Sequence, residues 1–87
     1  MGFTVRESQQ TPNPNALKLL LDAEISANPL SFRSADEAKS NPLAAELMAI
    51  KGVTSVLILR DFVTINRSPG TRWADITSKA KRILAKA

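Results

Sequence analysis

Apolar and polar positions along this chain follow two different periods. Phe3-Thr4-Val5-Arg6 alternates with period two and predicts a short strand. Ala16-Leu17-Lys18-Leu19-Leu20-Leu21 is ambiguous by period, because leucines suit a helix and β-branched residues are absent. Its shortness, the Pro-rich stretch before it and Asp22 after it favour a strand. Leu17, Leu19 and Leu21 then share one face, with Lys18 and Leu20 on the other. Val53 to Leu59 is rich in β-branched residues and predicts the strongest strand. Phe62 to Asn66 predicts its hairpin partner, separated from it by Arg60-Asp61. Arg-Asp is not a favoured pair for a primed turn, so a loop longer than two residues is expected.

Helical signals fall in three places. Ser34-Ala35-Asp36-Glu37 fits a capping box and predicts a helical turn. Asn41-Pro42 places a capping Asn before a first-turn Pro. Leu43, Leu47 and Ile50 then form one stripe, and Gly52 lies just past the end. After the turn signal Ser68-Pro69-Gly70, Thr71 is expected to cap a last helix over 72–86. Trp73, Ile76, Ala80, Ile83 and Leu84 fall on one side of it, and Lys79, Arg82 and Lys86 on another.

Between these elements, Ser8 to Asn15 reads as a loop. Pro12 and Pro14 restrict Thr11 and Asn13 to extended backbone, and Asn15 can close a turn. Ile25 to Phe32 reads as a connection with a short edge strand near Leu30–Phe32. The main elements follow the order β-β-α-β-β-α. The fold class is α+β, a small antiparallel sheet with two main helices packed on one face, in a single domain over 1–87.

Composition narrows the chemistry. The 87 residues include no Cys and no His. That removes thiolate nucleophiles, the usual cluster ligands and the commonest general base. Structural zinc is excluded in practice. Only carboxylates remain for hard cations, and Asp22/Glu24 and Asp36/Glu37 lack the spacing of a calcium loop. No metal site, cofactor or catalytic residue is assigned. Ser and Thr hydroxyls have no His partner and no Ser–Lys motif, so an enzyme is not expected. The net charge is +4, a mild excess. No apolar run approaches a membrane span, and the first ten residues fit neither a signal nor a transit peptide, so a cytoplasmic location is expected.

Three groups of residues merit a functional reading. Thr11 to Asn15 is either a rigid entry into the second strand or a pre-ordered recognition surface, with Lys18 adding a charge. Turn chemistry weighs towards the first. Asp61 and Thr64 either serve the hairpin or face the same site as Asn13 and Asn15. The sole Trp, Trp73, is read as core packing on an amphipathic helix. The basic face of the last helix, with Lys79, Lys81, Arg82 and Lys86, is read as solvated. The pI of about 10.0 keeps a small nucleic-acid-binding module as an alternative.

Several strings occurring in order carry a family resemblance: Thr11-Pro12-Asn13-Pro14-Asn15-Ala16-Leu17-Lys18, Pro42-Leu43-Ala44, Ile50-Lys51-Gly52-Val53, Asp61-Phe62-Val63-Thr64-Ile65, and Trp73 opening the last helix. Together they resemble the N-terminal domain of the NifU-like (Nfu) iron–sulfur scaffold proteins, over nearly the whole chain. In that family a second domain with a Cys-x-x-Cys motif binds the cluster. This chain has no cysteine, so the resemblance implies an accessory role through partners and not cluster ligation. Leu19 also departs from the Phe common in the family, which bears on packing. The implied partners are iron–sulfur assembly proteins or a separate Cys-x-x-Cys domain, met by a monomer. The candidate partner-binding set is Thr11, Pro12, Asn13, Pro14, Asn15, Lys18, Asp61 and Thr64. Weak iron binding through carboxylates is a further alternative.

Overall fold

The computed structural model describes residues 2–86. Its elements are β1 (Val5–Gln10), β2 (Ala16–Leu21), β3 (Ser26–Phe32), α1 (Ala35–Ala38), α2 (Pro42–Met48), β4 (Val53–Arg60), β5 (Phe62–Arg67) and α3 (Trp73–Lys86). The strands form one antiparallel sheet in the order β1-β2-β5-β4-β3. The α+β class follows as expected.

Strand alternation decides which face of the sheet is covered. Leu17, Leu19 and Leu21 are buried, as are Val56 and Ile58 on β4 and Val63 and Ile65 on β5. They form one core cluster with Ala38, Ala44, Leu47, Ile76, Ala80 and Leu84 from the three helices. The helices therefore lie on one face. The opposite face carries half-buried Lys18, Leu20, Leu57, Phe62 and Thr64.

The helix starts follow local capping chemistry. Asn41 Oδ1 accepts from the N–H groups of Leu43 and Ala44 at 3.1 and 3.2 Å. Two otherwise unpaired donors of α2 are thereby satisfied. Ser34 Oγ accepts from Glu37 N–H at 3.2 Å. The Glu37 carboxylate reaches back to Arg33 N–H at 2.7 Å, one residue upstream of the usual capping-box partner.

Five expectations need correction. β1 runs on through Ser8, Glu7 to Gln10 being paired with Leu20 to Leu17. Its polar residues sit on an outer strand where water solvates the exposed sides, so polarity does not end the ladder. Ile25 to Phe32 is not mainly a connection: β3 is a seven-residue edge strand. Pro29 is tolerated there because an edge has one unpaired side, and the register shifts between Ser26 and Leu30. α2 ends at Met48, short of Ile50. The hairpin loop is only two residues long, with Leu59 opposite Phe62. Arg60 absorbs the turn with φ of 52°, in the left-handed region. Asp22–Ile25 wraps this tip: Ile25 N–H donates to the Arg60 carbonyl and Leu21 N–H to the Asp61 carbonyl.

The fifth correction concerns Thr71. Its hydroxyl donates to the Ser68 carbonyl at 2.7 Å and closes the Ser68–Gly70 turn, so it does not cap α3. The Arg72 carbonyl accepts from Ile76 N–H instead, so the helix proper begins at Trp73.

Candidate functional site

The Thr11–Asn15 loop is tied from within. Thr11 Oγ1 lies 2.9 and 3.0 Å from the carbonyls of Asn13 and Ala16 as a donor, and accepts from Asn13 N–H at 3.1 Å. Asn13 Oδ1 accepts from Asn15 N–H at 2.9 Å, an Asx turn. The Ala16 N–H then donates to the Asn13 carbonyl. Pro12 and Pro14 fix φ on either side of Asn13. Thr11 and Asn13 spend their side-chain oxygens on shaping the loop. Pro12, Asn13 and Pro14 remain exposed at its tip.

Two residues outside the loop hold it against the helix layer. The Trp73 indole N–H donates to the Pro14 carbonyl at 3.3 Å. Arg67 donates from its backbone to the Asn15 carbonyl at 2.8 Å and from Nε to Asn15 Oδ1 at 3.4 Å. Its Nη1 donates to the Thr71 carbonyl at 2.8 Å, and the guanidinium stacks 4.8 Å from the Trp73 ring. Stacking and fork geometry suit Arg better than Lys. Nη2 makes no hydrogen bond among the described residues.

Between loop and helix lies a groove of about 600 Å³. Pro12, Pro14, Leu17 and Trp73 supply its apolar walls, and Gln10, Arg67 and Thr77 its polar groups. No carboxylate lines it, so Arg67 makes it electropositive. Rigid apolar walls with a few placed polar groups are the usual make-up of a binding cleft.

The expected site does not come together as one surface. Thr11 to Pro14 line the groove, and Asn15 is held by Arg67, which also lines it. Lys18 and Thr64 are cross-strand partners on the opposite face of the sheet, where Lys18 Nζ sits 4.1 Å from the Phe62 ring centroid. Asp61 lies at the far end of β2, beside Leu21, where it borders a separate hollow with Asp22 and Arg60. Register is the reason: Lys18 projects away from the face that Leu17 and Leu19 share.

Arg67 and Trp73 are the site residues that sequence reasoning missed. Trp73 lies on the apolar side of its helix, as its spacing predicts, and packs partly buried against the core. Its N–H, which needs an acceptor when buried, was the available signal. Arg67 gave none, because its role depends on contact with Asn15, 52 residues away.

Among the described residues, no three acids gather around one point as a metal ion would need. No helix among them is long and apolar enough to cross a membrane.

Comparison with known proteins agrees with the fold. The family model described as scaffold protein Nfu/NifU N terminal matches residues 6–87. The mitochondrial NFU1 iron-sulfur cluster scaffold homolog of Drosophila erecta is 37% identical over 70 residues, covering 78% of this chain and 25% of the relative. A NifU-like protein of Schizosaccharomyces pombe is 36% identical over 72 residues, covering 79% and 28%. The chain thus spans about a quarter of the length of these curated relatives. The solution structure of a NifU-like protein from Saccharomyces cerevisiae superposes with a TM-score of 0.80 at 27% identity, over 95% of this chain and 77% of that one. Protein SAV1430 from Staphylococcus aureus shares the fold, with a TM-score of 0.76 at 20% identity over 92% and 96%. A family model matched over nearly the whole chain, with relatives above 30% identity, places this chain in the Nfu/NifU N-terminal family, to which it belongs.

Proposed function

We propose that this domain is a non-catalytic docking module in iron–sulfur cluster assembly or delivery. It binds a segment of an assembly protein, or of a Cys-x-x-Cys domain, in the Trp73 groove and contributes no cluster ligand of its own. The observation that carries this reading is the pinned loop. Its turn is formed before any partner arrives, so little ordering entropy is lost on binding. Trp73 and Arg67 are also the residue types that anchor interfaces, and Nη2 of Arg67 is left for a partner's carbonyl or carboxylate. Among the described residues no three carboxylates gather around one point, which weighs against the iron-binding alternative. Our reading places the module in the cytosol as a monomer, to be checked by fractionation and sizing; the fly relatives are named mitochondrial.

The test uses Ala74→Arg. Ala74 is exposed on α3 and lines the groove, so a long side chain there plugs it without disturbing the core. Affinity capture with the full chain is expected to enrich iron–sulfur assembly proteins, and Ala74→Arg to lose them. Titration of a captured partner should quench or shift the fluorescence of the sole Trp. Equal capture by Ala74→Arg, or no enrichment of assembly proteins, defeats the reading.

A further inference from the structure

The flank of α3 turned away from the groove carries a second surface. Two adjoining clefts of about 440 and 260 Å³ run between α3 and the end of α2. Lys51 and Arg72 border the first, Lys86 the second, and Lys79 and Arg82 both. All five cations are exposed. Asp75 and Glu46 are the acids alongside them. Among the described residues the one ion pair is Lys39–Asp36 at 3.2 Å, so none of the five is held in an ion pair there. The concentration of charge is local: these five are drawn from the chain's 12 Lys and Arg. Ile50 lies at the join of the clefts and Ile83 in the second, which gives them an apolar floor.

We infer that these clefts dock an acidic segment of a protein partner, one that carries apolar side chains among its Asp and Glu residues. The cations supply charge complementarity and long-range attraction. Ile50 and Ile83 supply the contact area that a purely ionic encounter lacks. A nucleic acid fits less well, because no aromatic residue lines either cleft to stack a base and the apolar Ile50 and Ile83 offer a phosphate backbone no contact. This surface is separate from the Trp73 groove, and its occupancy does not depend on what the groove binds.

The test is a fluorescence-polarisation titration of the full chain. The probes are a labelled peptide of alternating Glu and Leu and an oligothymidylate of matched charge. The peptide is expected to bind at low salt and to weaken between ~50 and ~200 mM salt, since exposed charges are screened over about 8–10 Å. The double variant Lys79→Gln/Arg82→Gln should weaken it about tenfold, by removal of two close charges. Lys39→Gln, at the other end of α2, should leave it unchanged, with melting curves confirming that each variant folds. No peptide binding at low salt overturns the inference. So does equal binding by the double variant, or tighter binding of the oligothymidylate than of the peptide.

Discussion

The indole N–H of Trp73 donates to the carbonyl of Pro14 at 3.3 Å, joining the first turn of α3 to a loop 59 residues earlier in the chain. Trp73 thus has two tasks. Its ring packs on the core and its N–H ties the loop to the helix. Replacing it with Phe keeps most of the ring and removes the donor. Trp73→Phe is expected to cost about 1 kcal/mol, the net worth of a typical hydrogen bond. A urea titration followed by circular dichroism measures that. The Ala16 amide, bonded to the Asn13 carbonyl inside the loop, should exchange faster with solvent.

Thr11 holds the loop from the other side. Thr11→Val keeps the shape of the side chain but removes a hydroxyl that serves Asn13 and Ala16. The expected loss is about 1–2 kcal/mol, because several polar groups lose their partner at once. Pro12→Ala, at the exposed tip, should cost under about 1 kcal/mol by loosening the unfolded chain alone. If the two variants melt alike, Thr11 does not organise the loop.

Arg60 and Gly52 both have positive φ, at 52° and 96°, with opposite consequences. A non-Gly residue in the left-handed region costs about 1–2 kcal/mol. Arg60→Gly relieves that cost and loses some of it to chain entropy, so a net gain of about 0.5–1 kcal/mol is expected. Gly52→Ala meets two obstacles. The backbone is unfavourable for a side chain, and the new Cβ would collide with Thr71 Cγ2. A loss of about 2–3 kcal/mol is expected. Adding Thr71→Ser removes that methyl and should recover part of it. Thermal melts of the variants check both signs.

Lys18 faces away from the groove and lies over Phe62. Lys18→Ala should therefore cost only about 0.5–1 kcal/mol, the scale of an exposed cation–π contact. It should leave capture of groove-bound partners intact. Loss of capture together with an unchanged melting curve would place the binding surface on the open face of the sheet instead.

Residue order alone determined much of this molecule. Leu17, Leu19 and Leu21 alternate into the core, Asn41-Pro42 starts α2, and the β-branched run from Val53 makes β4, because pleat, cap and propensity act over a few neighbouring residues. The Thr11–Asn15 turn was legible for the same reason, although the side chain that closes it is that of Asn13 and not Asn15, whose Oδ1 is taken by Arg67. β3 was largely hidden, because Pro29 argues against a strand and only its pairing with β4 at the sheet edge outweighs that. The tight hairpin was hidden too, since Arg60 is held in a left-handed turn by a chain segment wrapped around its tip.

The proposed surfaces belong mostly to tertiary structure. Arg67 meets Asn15 and Trp73 meets Pro14 across 52 and 59 residues. Lys18 and Asp61 were drawn away from the loop by strand register, a property of paired strands and not of single ones. Residue order thus determined the turn, and composition the absence of Cys and His from these 87 residues. Packing decided which side chains close around that turn, because a groove forms only where distant elements meet.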